Sequence, residues 1–79
     1  RNNMQVVIYS IPNCTYCVQA KNLAENHPKV EETIYKMMGD GFKPTEVREL
    51  FPTARTFPQI IVDGEKIGGF TELKALLDG

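Results

Sequence analysis

The 79-residue chain is 42% hydrophobic and 24% charged, with a net charge of −1, a balance that fits one soluble globular domain and excludes a disordered chain. Nine basic residues stand against ten acidic ones with no basic run, so nucleic acid is not an expected partner. The apolar runs are far too short to span a membrane, and a chain of this length has no room for a second domain.

Arg1-Asn2-Asn3, ahead of Met4, are set apart as an added or disordered tail, and a single domain is read over residues 4–79. Residues 5–10 (QVVIYS) are β-rich and apolar on both faces, as a covered central strand requires. Ile11-Pro12-Asn13 breaks that strand. A helix follows over residues 15–26, with Cys17, Ala20, Leu23 and Ala24 at helical spacing and Lys21 and Glu25 outward. His27-Pro28 ends it, because a residue before proline resists helical angles. Residues 30–37 alternate as a second strand, and Gly39-Asp40-Gly41 is a loop. Pro44 suits the first turn of a short helix whose buried stripe is Val47, Leu50 and Phe51.

Residues 59–62 (QIIV) form a third strand, Asp63-Gly64 a hairpin turn, and residues 65–67 a short fourth strand. Gly68-Gly69 punctuates, and a last helix over residues 70–77 is expected to face Leu73, Leu76 and Leu77 to the core. The order is β-α-β-α-β-β-α. The opening strand–helix–strand unit implies parallel pairing and the hairpin antiparallel pairing. The expected class is α/β, a mixed four-stranded sheet with helices on both faces.

Both cysteines of the chain lie in Cys14-Thr15-Tyr16-Cys17, where strand gives way to helix. A Cys-x-x-Cys at that junction reads as a dithiol redox centre. Unpaired amides and the helix dipole favour a negative sulfur there. Cys14 is the candidate nucleophile, expected to be solvent-exposed and largely thiolate, since such thiols fall at roughly 3.5–7.5 against about 8.5 for a free thiol. Cys17, one turn on, is within reach as the resolving thiol. Competing readings are a buried structural cysteine and a zinc site. Zinc wants four ligands, and the lone histidine, His27, falls at the far end of the helix. No metal ligand is assigned. Two cysteines fit catalysis in a reducing compartment, and no charged-then-apolar leader signals secretion, so the cytoplasm is the expected location.

Cys14-x-x-Cys17, Thr56-Phe57-Pro58 and Gly68-Gly69, in this order and spacing, resemble glutaredoxin, a family of the thioredoxin-like superfamily that commonly carries Cys-Pro-Tyr-Cys, Thr-Val-Pro and Gly-Gly. The resemblance covers nearly all of the chain from Met4, and the Gly-Gly-Phe-x-x-Leu ending also looks like short bacteriophage forms. It implies a glutathione-dependent thiol–disulfide oxidoreductase of the dithiol type, with Cys14 and Cys17 catalytic and glutathione as co-substrate. It further implies that Pro58 is cis and that a bound peptide pairs with the backbone of Phe57. Phe70 and Thr71 would offer amides to the γ-glutamyl carboxylate of glutathione. The Thr71 hydroxyl would add a donor or serve as a helix cap. Arg55 would face the glycyl carboxylate, and Tyr16 would pack beside the thiol.

Three positions depart from the common pattern. Ile11 stands where a lysine often attracts a glutathione carboxylate, Thr15 replaces the motif proline, and Phe57 replaces valine. The partners implied are glutathione and disulfide-containing or glutathionylated proteins, with ribonucleotide reductase as a family-level example, acting on a monomer. Two alternatives stand beside this reading. One is a thioredoxin-like reductant fed by a reductase, against which the absence of tryptophan counts. The other is a dimer holding an iron–sulfur cluster through Cys14 and two glutathiones, a use that Thr15 permits.

Overall fold

Strand β1 (Met4–Ser10) is apolar on both faces, and the computed structural model, which describes residues 4–78, places it inside the sheet. The expected tail over residues 1–3 and the final position of the expected domain lie outside the described residues. The other strands are β2 (Val30–Met37), β3 (Gln59–Val62) and β4 (Glu65–Gly68), in the order β2-β1-β3-β4. β1 runs parallel to β2, with Ile8 opposite Tyr35, and antiparallel to β3, with Tyr9 opposite Gln59. β3 and β4 form the antiparallel hairpin. At its turn Asp63 (φ 50°) and Gly64 (φ 85°) are both left-handed, the geometry that Asp-Gly tolerates best. The Gln5 amide donates to the Asp63 carboxylate at 2.9 Å and so ties the turn to β1.

Alternation along the strands separates two cores. Val6 and Ile8 of β1 join Ile60 and Val62 of β3 on one face, under Ala20 and Ala24 of α1 (Thr15–Asn26) and Leu73 and Leu77 of α3 (Phe70–Asp78). Small alanines let α1 approach the sheet, and the leucines of α3 fill the remaining space. Tyr9 points to the other face, where it packs with Phe42, Val47 of α2 (Pro44–Leu50) and Phe51. Its ring meets Phe42 at 5.1 Å and Phe51 at 5.4 Å, both edge-on, the favoured aromatic arrangement. Leu50 packs at the margin of this second core.

The element order is the expected one. One expectation for α3 fails: Leu76 is 41% exposed, while Leu73 and Leu77 are buried. Residues four apart share a helix face, and Leu76 sits on the flank of that stripe. It lines a shallow recess with Met4, Val62 and Ile67 near the sheet edge, where none of the described residues covers it. Pairing also carries β1 back to Met4 and β4 on to Gly68, beyond the expected strand ends.

Candidate active site

β1 ends at Ser10, and Asn13 turns the chain through a left-handed conformation (φ 59°) into α1. Asparagine is one of the few residues that adopt it readily. Cys14 is then the N-cap of α1 in extended conformation, and its Sγ accepts from the Cys17 amide at 3.2 Å. The two cysteines are joined as a disulfide, with their Cα atoms 5.2 Å apart. Cys17 is fully buried and Cys14 half-buried, not the freely exposed sulfur expected from sequence. The cause is the facing loop: the Cys14 Sγ lies 3.7 Å from the carbonyl oxygen of Phe57.

The antiparallel β1–β3 pairing produces that proximity. It sets the start of β3 beside the end of β1, although Cys14 and Phe57 are 43 residues apart. The Phe57–Pro58 peptide is cis, as the resemblance implied, and Pro58 is buried.

The first turn of α3 completes the site. Tyr16, the segment Thr56-Phe57-Pro58 and the segment 69–72 enclose an open groove of about 280 Å³. The Tyr16 ring, 61% exposed, leans over Phe70 with centroids 5.8 Å apart. Gly69 accepts the first helical bond, from the Leu73 amide at 3.0 Å, and is therefore the N-cap. Its own amide donates to Glu72 Oε1 at 2.7 Å. Glu72 thus provides one half of a capping box, and Thr71 is inside the helix rather than at its cap. The amides of Phe70 and Thr71, in the first turn, have no intrahelical acceptor and lie at the groove.

Two close approaches favour glycine here, more strongly at Gly68 than at Gly69. A Cβ on Gly69 would come within 3.3 Å of the Pro58 carbonyl oxygen. Gly68 has φ +117°, and a Cβ there would lie 2.8 Å from Glu72 Cγ. The Gly-Gly pair lets α3 start close against the cis-proline loop without disturbing the Glu72 carboxylate.

Six of the expected residues, Cys14, Tyr16, Phe57, Pro58, Phe70 and Thr71, meet at this end of the sheet. Arg55 does not join them: it is exposed in the preceding loop, off the groove wall, and makes no ion pair among the described residues. Ile11 and Thr15 lie on the other flank of Cys14. His27 is the C-cap of α1, where its Nδ1 accepts from the Lys29 amide at 3.1 Å. Sequence reasoning missed Thr56 and Glu72 as wall residues. The Gly69-x-x-Glu72 spacing carried the signal for the second, since an acid three residues after a cap reaches back to it. Chemically, the helix terminus and the Cys17 amide stabilise negative charge on Cys14. The groove beside it offers hydrogen-bond donors and one carboxylate.

The family model for glutaredoxin matches residues 6–67. The chain is 37% identical to a glutaredoxin of Haemophilus influenzae, over 94% of its own length and 91% of that protein's. It is 32% identical to glutaredoxin 1 of Escherichia coli, over 91% of each chain. Among solved structures it is similar to glutaredoxin 1 from Francisella tularensis, with a TM-score of 0.72, 34% identity, and coverage of 96% of this chain and 94% of that one. With a paired Cys14 and Cys17 at the head of α1, a cis-proline facing them and this breadth of similarity, the chain belongs to the glutaredoxin family of the thioredoxin-like superfamily and is a thiol–disulfide oxidoreductase.

Proposed function

We propose that the protein is a dithiol enzyme that uses glutathione to reduce glutathione mixed disulfides and protein disulfides. The observation that carries this reading is the groove beside Cys14, in which the Phe70 and Thr71 amides and the Glu72 carboxylate stand together. The γ-glutamyl end of glutathione bears a carboxylate and an ammonium. The amides suit the first and Glu72 suits the second. Tyr16 and Phe70 would cover the aliphatic part of the tripeptide, and the Phe57 backbone would pair with its peptide groups.

In the reduced enzyme the Cys14 thiolate attacks the glutathione sulfur of a mixed disulfide. A Cys14–glutathione bond forms, the original sulfur–sulfur bond breaks, and the departing thiolate takes the electron pair. A second glutathione thiolate then attacks the enzyme-bound sulfur, releasing glutathione disulfide and restoring Cys14. On a protein disulfide, Cys14 forms the mixed disulfide with one protein sulfur. Cys17 resolves it by closing the Cys14–Cys17 bond, which two glutathiones afterwards reopen. Burial of Cys17 agrees with an internal resolving role, since only a partner already held by Cys14 is presented to it. Ribonucleotide reductase is one such protein disulfide, and the working form is a monomer in the reducing cytoplasm.

A glutathione-coupled reduction assay with two variants tests this. Cys14→Ser is expected to be inactive. Cys17→Ser is expected to keep deglutathionylation and lose reduction of protein disulfides. Full activity in Cys14→Ser, or turnover with a thioredoxin reductase but none with glutathione, would sink the reading.

A further inference from the structure

Cys14 borders a second groove, on the flank away from Tyr16 and Pro58. This groove has a volume of about 410 Å³, and Ile11, Asn13, Val18, Tyr35 and Met37 line it beside Cys14 and Thr15. Its construction follows from the fold. Tyr35 and Met37 are two apart on β2 and so share the face that α1 covers. Val18 is one helical turn beyond Cys14, whose carbonyl accepts its amide at 3.3 Å. Ile11 follows directly on β1. No ionisable side chain other than the Cys14 sulfur and the Tyr35 phenol lines the groove. The Lys21 ammonium sits 5.5 Å from the centre of the Tyr35 ring. Val18 is 50% exposed, an apolar residue held at the surface one turn from the reactive sulfur.

We infer that this groove is a subsite for polypeptide disulfides, taking an apolar side chain next to the substrate cysteine. The inference rests on the exchange chemistry proposed above and names the class of protein substrate that it favours. Three observations lead to it. The groove is continuous with Cys14, so any chain joined to that sulfur passes its edge. Ile11, Val18 and Met37 give it an apolar stretch beside the polar Asn13 and Thr15, whereas glutathione has a γ-glutamyl and a glycyl end and no apolar side chain to meet that stretch. The groove on the opposite flank already supplies the donors and the carboxylate that suit glutathione. A polypeptide tethered at Cys14 therefore has one neighbour beside Phe57 and the other over Val18 and Ile11. Burying an apolar side chain there lowers the energy of the mixed-disulfide transition state for peptides and leaves small disulfides unaffected.

The step tested is single and balanced. The Cys14 thiolate attacks the cysteine sulfur of a peptide carrying a thionitrobenzoate disulfide. The Cys14–peptide bond forms, the peptide–thionitrobenzoate bond breaks, and thionitrobenzoate leaves with the electron pair and is read by absorbance. A Cys17→Ser background holds the reaction at this stage. Short peptides carry leucine or serine on either side of the cysteine, and the mercaptoethanol derivative reports intrinsic thiol reactivity. One leucine peptide is expected to react on the order of tenfold faster than its serine counterpart. Val18→Ser and Ile11→Thr are each expected to cut that preference to about threefold or less, with the mercaptoethanol rate unchanged. Equal rates for leucine and serine peptides in both orientations would overturn the inference, as would a preference that survives both substitutions. Failure of the glutathione reading has a separate signature: the glutathione derivative would react no faster than the mercaptoethanol one while the leucine preference stayed intact.

Discussion

The Gly69 amide donates to the Glu72 carboxylate at 2.7 Å, and this one contact joins the capping of α3 to the wall of the active-site groove. Glu72 therefore has two separable effects. Glu72→Ala removes the acceptor and is expected to lower stability by about 1 kcal/mol. Glu72→Gln keeps an acceptor and is expected to stay within about 0.5 kcal/mol of the parent. Both variants are expected to raise the KM for glutathione about fivefold, because both remove the charge that would meet its ammonium. Urea unfolding and steady-state kinetics separate the two effects. An unchanged KM in Glu72→Gln would leave Glu72 as a cap alone.

Gly68→Ala tests how tightly this corner is built. The positive φ and the 2.8 Å approach to Glu72 Cγ both oppose a Cβ. A loss of about 2 kcal/mol is expected. Part of that loss comes from displacing Glu72, so in a Glu72→Ala background it is expected to shrink by about 0.5 kcal/mol or more. Strict additivity in the double-mutant cycle would show that the two residues do not act on each other.

Tyr16 lies over the groove with most of its surface in solvent. Tyr16→Ala is expected to change the unfolding free energy by about 0.5 kcal/mol at most. The same substitution is expected to lower kcat/KM for a glutathione mixed disulfide about fivefold, through loss of aromatic cover beside Phe70. A variant that lost stability and kept its kinetics would reverse this assignment.

Phe42 has the opposite profile. It is 3% exposed and touches the Tyr9 ring on the sheet face opposite α1. Phe42→Ala is expected to cost about 3–5 kcal/mol, a large share of what so small a domain has. Thermal unfolding by circular dichroism measures it. A midpoint close to that of the parent would mean the second core collapses around the cavity.

The central position of β1 was legible because residues 5–10 are apolar on both faces, a pattern with few uses outside a covered strand. The Asp63-Gly64 turn was legible because both positions need left-handed angles that this pair supplies. Leu76 misled because helical spacing marks a stripe but not its width, and the width depends on how α3 sits against the sheet edge. The half-burial of Cys14 is a property of its contact with Phe57, which no local pattern encodes. The capping role of Glu72 is legible in the Gly69-x-x-Glu72 spacing, but its place on the groove wall depends on how α3 meets the Pro58 loop, which that spacing does not encode. Arg55 follows from the family pattern alone, and its exposed placement gives it no contact with the groove.

The Cys14–Phe57 proximity depends on a ladder between strands far apart in sequence. A nascent or partly unfolded chain without the β1–β3 ladder still has both sulfurs and a sequence able to start α1. It has no cis-proline loop beside the thiol and no groove. Bringing such distant segments together is costly in chain entropy and slow relative to forming a helix turn. Selective exchange is therefore a reporter of native topology, and the unfolded dithiol reacts as an ordinary pair of thiols with no preference among disulfides.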